Sequence, residues 1–336
     1  MGGLARNTEV GHSPSVDAVD QAPRRPIWWC GLIAALAWLA VAWFTRRWPD
    51  AGDQGPTALL AGCMAAIGVA LLAATAVSPF TDFLSCFRSG PWLIALACLF
   101  AFWELASAKL NLLPLPFFAA PQSLLAVYVE DWPRLADSTL HSCILLVSGY
   151  SMGALVAFLT GLAMGWSRAI GYWLHPVLRF IGPLPATAWL PLAFFALPSS
   201  WAASVFLIAS AAGFPVAVLT WSGIAGVNAA YYDVARTLGA RPAFLILKVA
   251  IPAAMPSVFV GLFMGLGASF AVLVVAEMMG VKAGLGWYLS WAQGWAAYSN
   301  VYAALIVMAL MCSGLITLLF RLRDRLLSWQ KGLLRW

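Results

Sequence analysis

The chain is poor in charged residues. Asp, Glu, Lys and Arg together make up 10% of its 336 residues, whereas hydrophobic residues make up 62% and the mean hydropathy is +0.86. Soluble domains carry about 25% charged residues, so this composition excludes a soluble globular protein. It predicts an all-α polytopic membrane protein.

Residues that carry catalytic chemistry are also scarce. No G-x-x-x-x-G-K-[ST] sequence is present, so the chain cannot hydrolyse ATP by that route. The histidines at 12, 141 and 175 are scattered, and no metal site is visible. The six cysteines show no paired spacing, which is typical of small buried hydrophobic side chains rather than of disulfides. An integral-membrane enzyme would need clustered Asp, His or Glu, which are absent, and we expect the chain to bind no cofactor.

The chain contains long runs of apolar residues. Eight of them lie at about 27–45, 57–79, 91–108, 138–165, 172–197, 201–223, 255–276 and 299–320. Because a helix needs roughly 20 apolar residues to cross a bilayer, we predict about eight transmembrane helices. Glu104 and Lys109 close the third run and are interpreted as interfacial residues.

Basic residues are distributed unevenly along these runs. Arg24 and Arg25 precede the first run, and Arg321, Arg323 and Arg325 follow the last one. Lys and Arg concentrate in cytoplasmic loops, so both termini are expected in the cytoplasm. The same distribution accounts for the net charge of +6 without a nucleic-acid partner.

One polar segment, residues 228–252, interrupts the apolar runs. Asn228 is a candidate helix N-cap, and Gly239 is a candidate C-terminal stop because glycine adopts the left-handed conformation without steric cost. Pro242 stands where a second short helix would begin. The segment also carries Arg236, Arg241 and Lys248, which places it outside the hydrocarbon and on the cytoplasmic side.

This segment resembles the loop that defines the permease subunits of bacterial ATP-binding-cassette importers. That family's motif reads E-A-A, three residues, G, nine residues, I-x-L-P. Here it appears as Asp233-Val234-Ala235, then Gly239, then Val249-Ala250-Ile251-Pro252, with every interval kept. The departures, such as Asp for Glu, are conservative in character.

Further stretches of residues 91–330 resemble the nitrate, sulfonate and taurine branch of that family. The matching stretches are Leu113–Pro116 with Pro121, Leu135–Ser142, Arg179–Pro185, Trp189–Leu192, Ala276–Met278 and Gly284–Gly286. Leu197–Ser200 departs from the branch, which usually shows a Gly and an acidic residue there.

The resemblance implies a transport subunit and not an enzyme. It implies a homodimer, or a pair with a related permease, in the bacterial inner membrane, with two ATPase subunits inside and a periplasmic binding protein outside. ATP and Mg would be bound by the partner ATPase, and a small anion such as a sulfonate, taurine or nitrate would be the cargo. The ATPase-coupling residues would be Asp233, Val234, Ala235, Arg236, Gly239, Ile251 and Pro252.

Residues of a translocation path or gate follow from local chemistry. Pro183, Pro185 and Pro191 crowd one run, and each frees a backbone carbonyl that lipid does not tolerate. This pattern indicates either a path along 182–198 or a kinked core helix. Ser269 is a second candidate, although a hydrogen bond across helices is the usual role of such a residue.

Glu277 is the third candidate for the path or gate. It is expected at the outer edge of the membrane, because a carboxylate at the bilayer centre is costly. There it would pair with Lys282, shape the gate, or anchor the interface beside Trp287 and Tyr288.

The sequence therefore predicts three parts. Residues 1–26 form a disordered cytoplasmic tail, residues 27–90 an accessory two-helix hairpin with almost no buried polarity, and residues 91–330 the permease core. The alternative function is a stand-alone secondary transporter, which would need intramembrane ionisable residues for ion coupling and often shows an internal repeat. Buried charge is sparse in this sequence, and no clear repeat relates its halves.

Overall fold

A computed structural model of the chain describes residues 28–52, 55–77, 90–113, 116–182 and 184–330. Within these ranges the regular secondary structure is entirely helical, which confirms the prediction of an all-α polytopic protein. Contacts divide the chain into two compact units, Met1–Leu112 and Leu113–Trp336. The predicted tail at 1–26 lies outside the described residues.

The described part of the first unit contains three α-helices. They are α1 (Trp29–Arg47), α2 (Thr57–Val77) and α3 (Gly90–Glu104), and α3 continues into a π-helical turn at Leu105–Lys109. The Trp38 indole on α1 donates a hydrogen bond to the Leu93 carbonyl on α3, 3.2 Å away. The hairpin predicted at 27–90 therefore has a third helix packed against it, and the contact boundary falls at Leu112 instead of residue 90.

A buried polar cluster joins these helices. The Lys109 ammonium donates to the carbonyls of Thr45 and Trp48 and to an Asp50 carboxylate oxygen 2.7 Å away, while the Thr45 hydroxyl bonds to Glu104. Glu104 and Lys109 are 0% and 5% exposed. The interpretation of both as interfacial is wrong, because their partners come from the end of α1 and the loop after it.

The second unit contains the remaining helices. They are α4 (Pro121–Glu130), α5 (Trp132–Trp166), α6 (Arg168–Ile181), α7 (Leu190–Ala196), α8 (Ser200–Ala225), α9 (Ala229–Thr237), α10 (Pro242–Phe244), α11 (Ile251–Met279), α12 (Leu285–Gly294) and α13 (Tyr298–Leu326). Seven helical stretches of the described chain are long and apolar enough to cross a membrane, and α6 with α7 forms a bent pair that raises the number to eight.

Helices α5 and α8 pack very closely through glycines spaced mainly by four residues. A Cβ built on Gly149, Gly153, Gly161 or Gly165 would lie 2.7, 2.4, 2.5 and 2.6 Å from Ile208, Ala209, Ala217 and Ile224, respectively. Small residues of this kind let helix backbones approach each other in a membrane. Because both sets of residue numbers rise together, α5 and α8 run parallel.

The parallel arrangement requires the chain between them to recross the unit. Leu178 of α6 packs against Ala157, and Leu190 and Ala193 lie in the cluster that contains Leu145. The pair α6 and α7 is therefore one broken crossing, bent by 84°. The run at 172–197 was expected as one continuous span, but the structure breaks it. Pro185 and Pro191 lie at the break, and neither can donate a backbone hydrogen bond.

Helix α11 begins earlier than predicted. A π-helical turn at Leu245–Ala250 joins α10 to α11, so that Pro242–Met279 is one helical stretch of 38 residues. The second short helix of the polar segment is thus continuous with the span predicted at 255–276. In a regular α-helix the ring of Pro252 would clash with the carbonyl of Lys248. The wider π-helical turn lies at this point and relieves the clash.

Candidate coupling segment and translocation path

Helix α9 is closed at both ends by its own sequence. The Asn228 side-chain oxygen accepts a hydrogen bond of 3.0 Å from the Ala230 amide. Gly239 has φ +80°, its amide donates to the Arg236 carbonyl at 2.9 Å, and the next amide donates to the Ala235 carbonyl at 3.0 Å. These two bonds form the Schellman arrangement that glycine permits. The predicted cap and stop are confirmed.

The surface of α9 is almost entirely free. None of its residues is buried, and Tyr231, Val234 and Leu238, which directly follows the helix, are 61%, 61% and 83% exposed. Asp233 and Arg236 form an exposed ion pair of 3.3 Å. Short amphipathic helices stabilise themselves weakly in isolation, so an exposed apolar surface on α9 favours a docking role.

The opposite side of α9 faces the ends of three long helices. The Tyr232 ring meets Trp166 of α5 edge-on at 6.0 Å, and Tyr232 also packs on Ile224 of α8 and Ala250 before α11. Burial raises the pKa of the Tyr232 phenol, with Arg236 opposing the rise. Of the remaining predicted coupling residues, Gly239 is exposed, whereas Ala235, Ile251 and Pro252 are half-buried.

A cavity of about 660 Å³ lies among α6, α8, α11 and the stretch that links α6 to α7. Among the described residues its lining contains no charged side chain, and the hydroxyls that reach it are those of Thr187 and Ser210. Ser210 already donates to the Phe206 carbonyl at 2.8 Å. The cavity is an apolar chamber with little polar chemistry of its own.

The structure separates the predicted path residues. Pro185 lines the cavity, whereas Pro191, Ser269 and Glu277 do not, and Pro183 lies outside the described residues. The buried Ser269 hydroxyl donates to the Ile208 carbonyl at 3.0 Å and joins α11 to α8. This bond is the usual structural role of serine between membrane helices.

Glu277 is buried, with 1% of its surface exposed. Its carboxylate oxygens lie 2.7 and 2.9 Å from the Ser142 hydroxyl of α5, and one of them accepts from the Gly286 amide at 2.8 Å. Ser142 in turn accepts from the Leu285 amide at 2.8 Å. The expectation of an outer-edge pair with Lys282 or an interfacial anchor is not met, because the carboxylate points into the unit toward these donors.

Two glycines make room for this carboxylate. Gly284 has φ +102°, and a Cβ there would lie 2.3 Å from a Glu277 carboxylate oxygen. A Cβ on Gly286 would lie 2.6 Å from the Val274 carbonyl. The turn before α12 is therefore wrapped around Glu277 and held to α5 and α11.

A second polar network continues from this turn. The buried Tyr288 hydroxyl donates to Asp131 at 2.7 Å and accepts from the Asn300 amide at 2.6 Å. Burial raises the pKa of the Tyr288 phenol, and the bond to Asp131 adds to the rise. These bonds join α12 to the start of α13 and to the junction between α4 and α5. In the described parts of the chain no group of three His, Cys, Asp or Glu residues has the geometry of a metal site.

Comparison with known families identifies the chain. The family described as "Binding-protein-dependent transport system inner membrane component" matches residues 149–331, more than half of the sequence. The chain belongs to this family.

Three proteins similar to this permease show what its relatives are described as. A putative ABC transporter permease protein of Methanocaldococcus jannaschii is 32% identical over 120 residues, 36% of this chain and 45% of that protein. The bicarbonate transport system permease protein CmpB of Synechococcus elongatus is 30% identical over 34% of this chain and 42% of that protein. The nitrate import permease protein NrtB of the same organism is 28% identical over 48% of this chain and 62% of that protein.

The alignments thus span about half the length of these relatives. Among solved structures, the MetNI methionine ABC transporter has a chain that is 14% identical with a TM-score of 0.48, over 58% of this chain and 94% of that chain. Family membership rests on the match at residues 149–331.

Proposed function

We propose that this permease is the transmembrane subunit of an ATP-driven importer, with α9 as the helix that couples it to a separate ATPase. One observation carries the proposal: α9 is capped at both ends, has no buried residue and stands at the helix ends where the importer motif falls. Val234 and Leu238 would supply apolar contacts to a groove on the ATPase, and Asp233 would pair with a cation there.

The packing of α9 supports transmission of force into the membrane. Tyr232 touches α5, α8 and the start of α11 at once. A displacement of α9 would therefore act on three long helices together. ATP and Mg would be bound by the ATPase, and this chain would hold no cofactor.

The topology supports an inner-membrane protein with both termini in the cytoplasm. With the bent pair α6 and α7 counted as one, the described residues would make eight crossings, an even number that returns the chain to its starting side. Helices α11 and α13 would bring Arg321, Arg323 and Arg325 to the same side as α9. Basic residues favour the cytoplasmic side. The importer would consist of two copies of this chain, or one copy and a related permease, two ATPase subunits and a periplasmic binding protein.

The cargo would be a small anion of the nitrate, sulfonate or taurine class. Two named relatives, a nitrate permease and a bicarbonate permease, support a small oxyanion in particular. The apolar cavity would pass this cargo after the binding protein has selected it.

Co-purification with the ATPase encoded beside this chain tests the coupling role. Asp233→Arg and Gly239→Pro should abolish retention of the ATPase while the permease still inserts into the membrane. Asp324→Arg is the matched control, because Asp324 is also exposed and also pairs with an arginine. The proposal fails if the wild type retains no ATPase, and ion-gradient transport by the reconstituted chain alone would establish the secondary-transporter alternative.

A further inference from the structure

Helix α6 carries a row of basic side chains on one side. Arg168, His175 and Arg179 are spaced by seven and four residues, which places all three within an arc of about 40° around the helix. The helix contains no acidic residue and none of its residues is buried. No ion pair in the described part of the chain includes Arg168 or Arg179. We call this row the basic face of α6. No acidic side chain in the described part of the chain pairs with its arginines.

Arg179 lies well inside the ends of α5 and α8 that are nearest α9. Its neighbour Leu178 packs against Ala157 of α5 and Val216 of α8. At 1.5 Å per residue these contacts lie about 14 Å from the ends of α5 and α8 nearest α9, almost half of a hydrocarbon core of about 30 Å. An arginine at this depth is disfavoured by lipid and is found facing a water-filled cavity or a buried partner.

The apolar cavity begins immediately beyond this arginine. Ile181 and Gly182 line the cavity, and Phe214 of α8, another lining residue, lies against Gly182. His175 meets Trp221 of α8 edge-on at 5.0 Å. The basic face thus runs beside α8, the helix that supplies several of the cavity's lining residues, and leads to a chamber with no charge of its own.

We infer that the basic face of α6 is the anion-contacting side of the translocation path, with Arg179 binding a small monovalent oxyanion at mid-depth. The planar guanidinium offers paired donors that match the oxygens of such an anion, which a lysine cannot reproduce. Arg168 lies at the end of α6 nearest α9 and receives the anion after Arg179. The inference rests on the proposed function and names the residue that binds the cargo within the membrane.

Thiol accessibility tests whether this face borders water. In the assembled importer with all six native cysteines replaced by alanine, Arg179→Cys should react with the membrane-impermeant anionic reagent 2-sulfonatoethyl methanethiosulfonate. Phe180→Cys is the matched control, since Phe180 is 77% exposed in this chain but points about 100° away around the helix, and it should stay unreactive. An Arg179→Cys variant that is unreactive from both sides of the membrane overturns the inference, because lipid or a second copy then covers this face.

Uptake of labelled nitrate and bicarbonate separates this inference from the proposed function. Arg179→Gln should reduce ATP-driven uptake by the assembled importer at least tenfold while the ATPase still co-purifies, and Arg179→Lys should recover part of the loss through a lower KM. Arg325→Gln, an exposed arginine outside the basic face, should transport like the wild type. Unchanged uptake by Arg179→Gln refutes the role of Arg179 and leaves the importer function intact. A wild type that retains its ATPase but imports neither anion refutes the cargo class, and the role of Arg179 with it.

Discussion

The coupling segment and the Glu277 site are built in opposite ways. Helix α9 has no buried residue and owes its shape to neighbours in sequence, Asn228 at one end and Gly239 at the other. Glu277 is buried and its partners come from α5 and from the turn before α12. We therefore expect substitutions near Glu277 to change stability, whereas those in α9 should change the binding of the proposed ATPase.

The largest expected effect is that of Gly284→Ala. Its backbone lies in a region that only glycine populates readily, and the new Cβ would displace the Glu277 carboxylate from its donors. We expect a loss of about 3 kcal/mol of unfolding free energy. The melting of the purified protein, followed through the fluorescence of its 18 tryptophans, measures this loss. Gly267→Ala is the control, because nothing lies within 4 Å of its Cβ position, and an equal loss there would contradict the explanation.

Glu277→Ala should have the next largest effect, about 2 kcal/mol. It leaves the buried Ser142 hydroxyl and the Gly286 amide without their acceptor, and such unsatisfied groups cost about 1–3 kcal/mol. Glu277→Gln keeps one acceptor oxygen and should lose about half as much. The same melting experiment compares the two, and identical losses would show that the hydrogen bonds contribute nothing.

Gly239→Ala tests the coupling segment by conformation alone. No atom lies within 4 Å of the added Cβ, so the cost is that of a left-handed alanine, about 1.5 kcal/mol. Because α9 is exposed, this cost should appear as faster hydrogen exchange in α9 and weaker ATPase retention, with the global melting temperature unchanged. A large drop in melting temperature would instead place α9 within the cooperative core.

Asn228→Ala should have the smallest effect. It removes the side-chain acceptor for the Ala230 amide, which is worth about 1 kcal/mol at a helix N-cap. Hydrogen exchange should increase in the first turn of α9 only. Asn228→Asp retains an acceptor and should exchange like the wild type, and an aspartate variant that exchanges as fast as the alanine variant would contradict the capping role.

The sequence predicted well those elements that depend on adjacent residues. The span predicted at 201–223 is Ser200–Ala225 in the structure, because its apolar run is uninterrupted. Helix α5 begins at Trp132 instead of 138, since hydropathy detects the part of a helix in lipid and not its polar start. The two ends of α9 were predicted because an N-cap and a C-terminal glycine act locally.

Contacts between distant residues could not be predicted in this way. Ser142 and Glu277 both lie in stretches that resemble the family, yet nothing in either stretch indicates that their side chains meet. In the first unit, nothing in the sequence indicates that the Lys109 ammonium meets the Thr45 backbone carbonyl. By contrast, the spacing of Gly149, Gly153, Gly161 and Gly165 is a readable signal for close helix packing, and it identifies the face of α5 that meets α8.

The parallel packing of α5 and α8 also constrains how the protein is made. The glycine face of α5 leaves the ribosome first and has no α8 to pack against until all of α6 and α7 has been synthesised and inserted. The broken crossing must therefore turn back through the bilayer before the tightest interface of the unit closes. Closure of this interface thus waits for a segment that contains Pro176, Pro185 and Pro191.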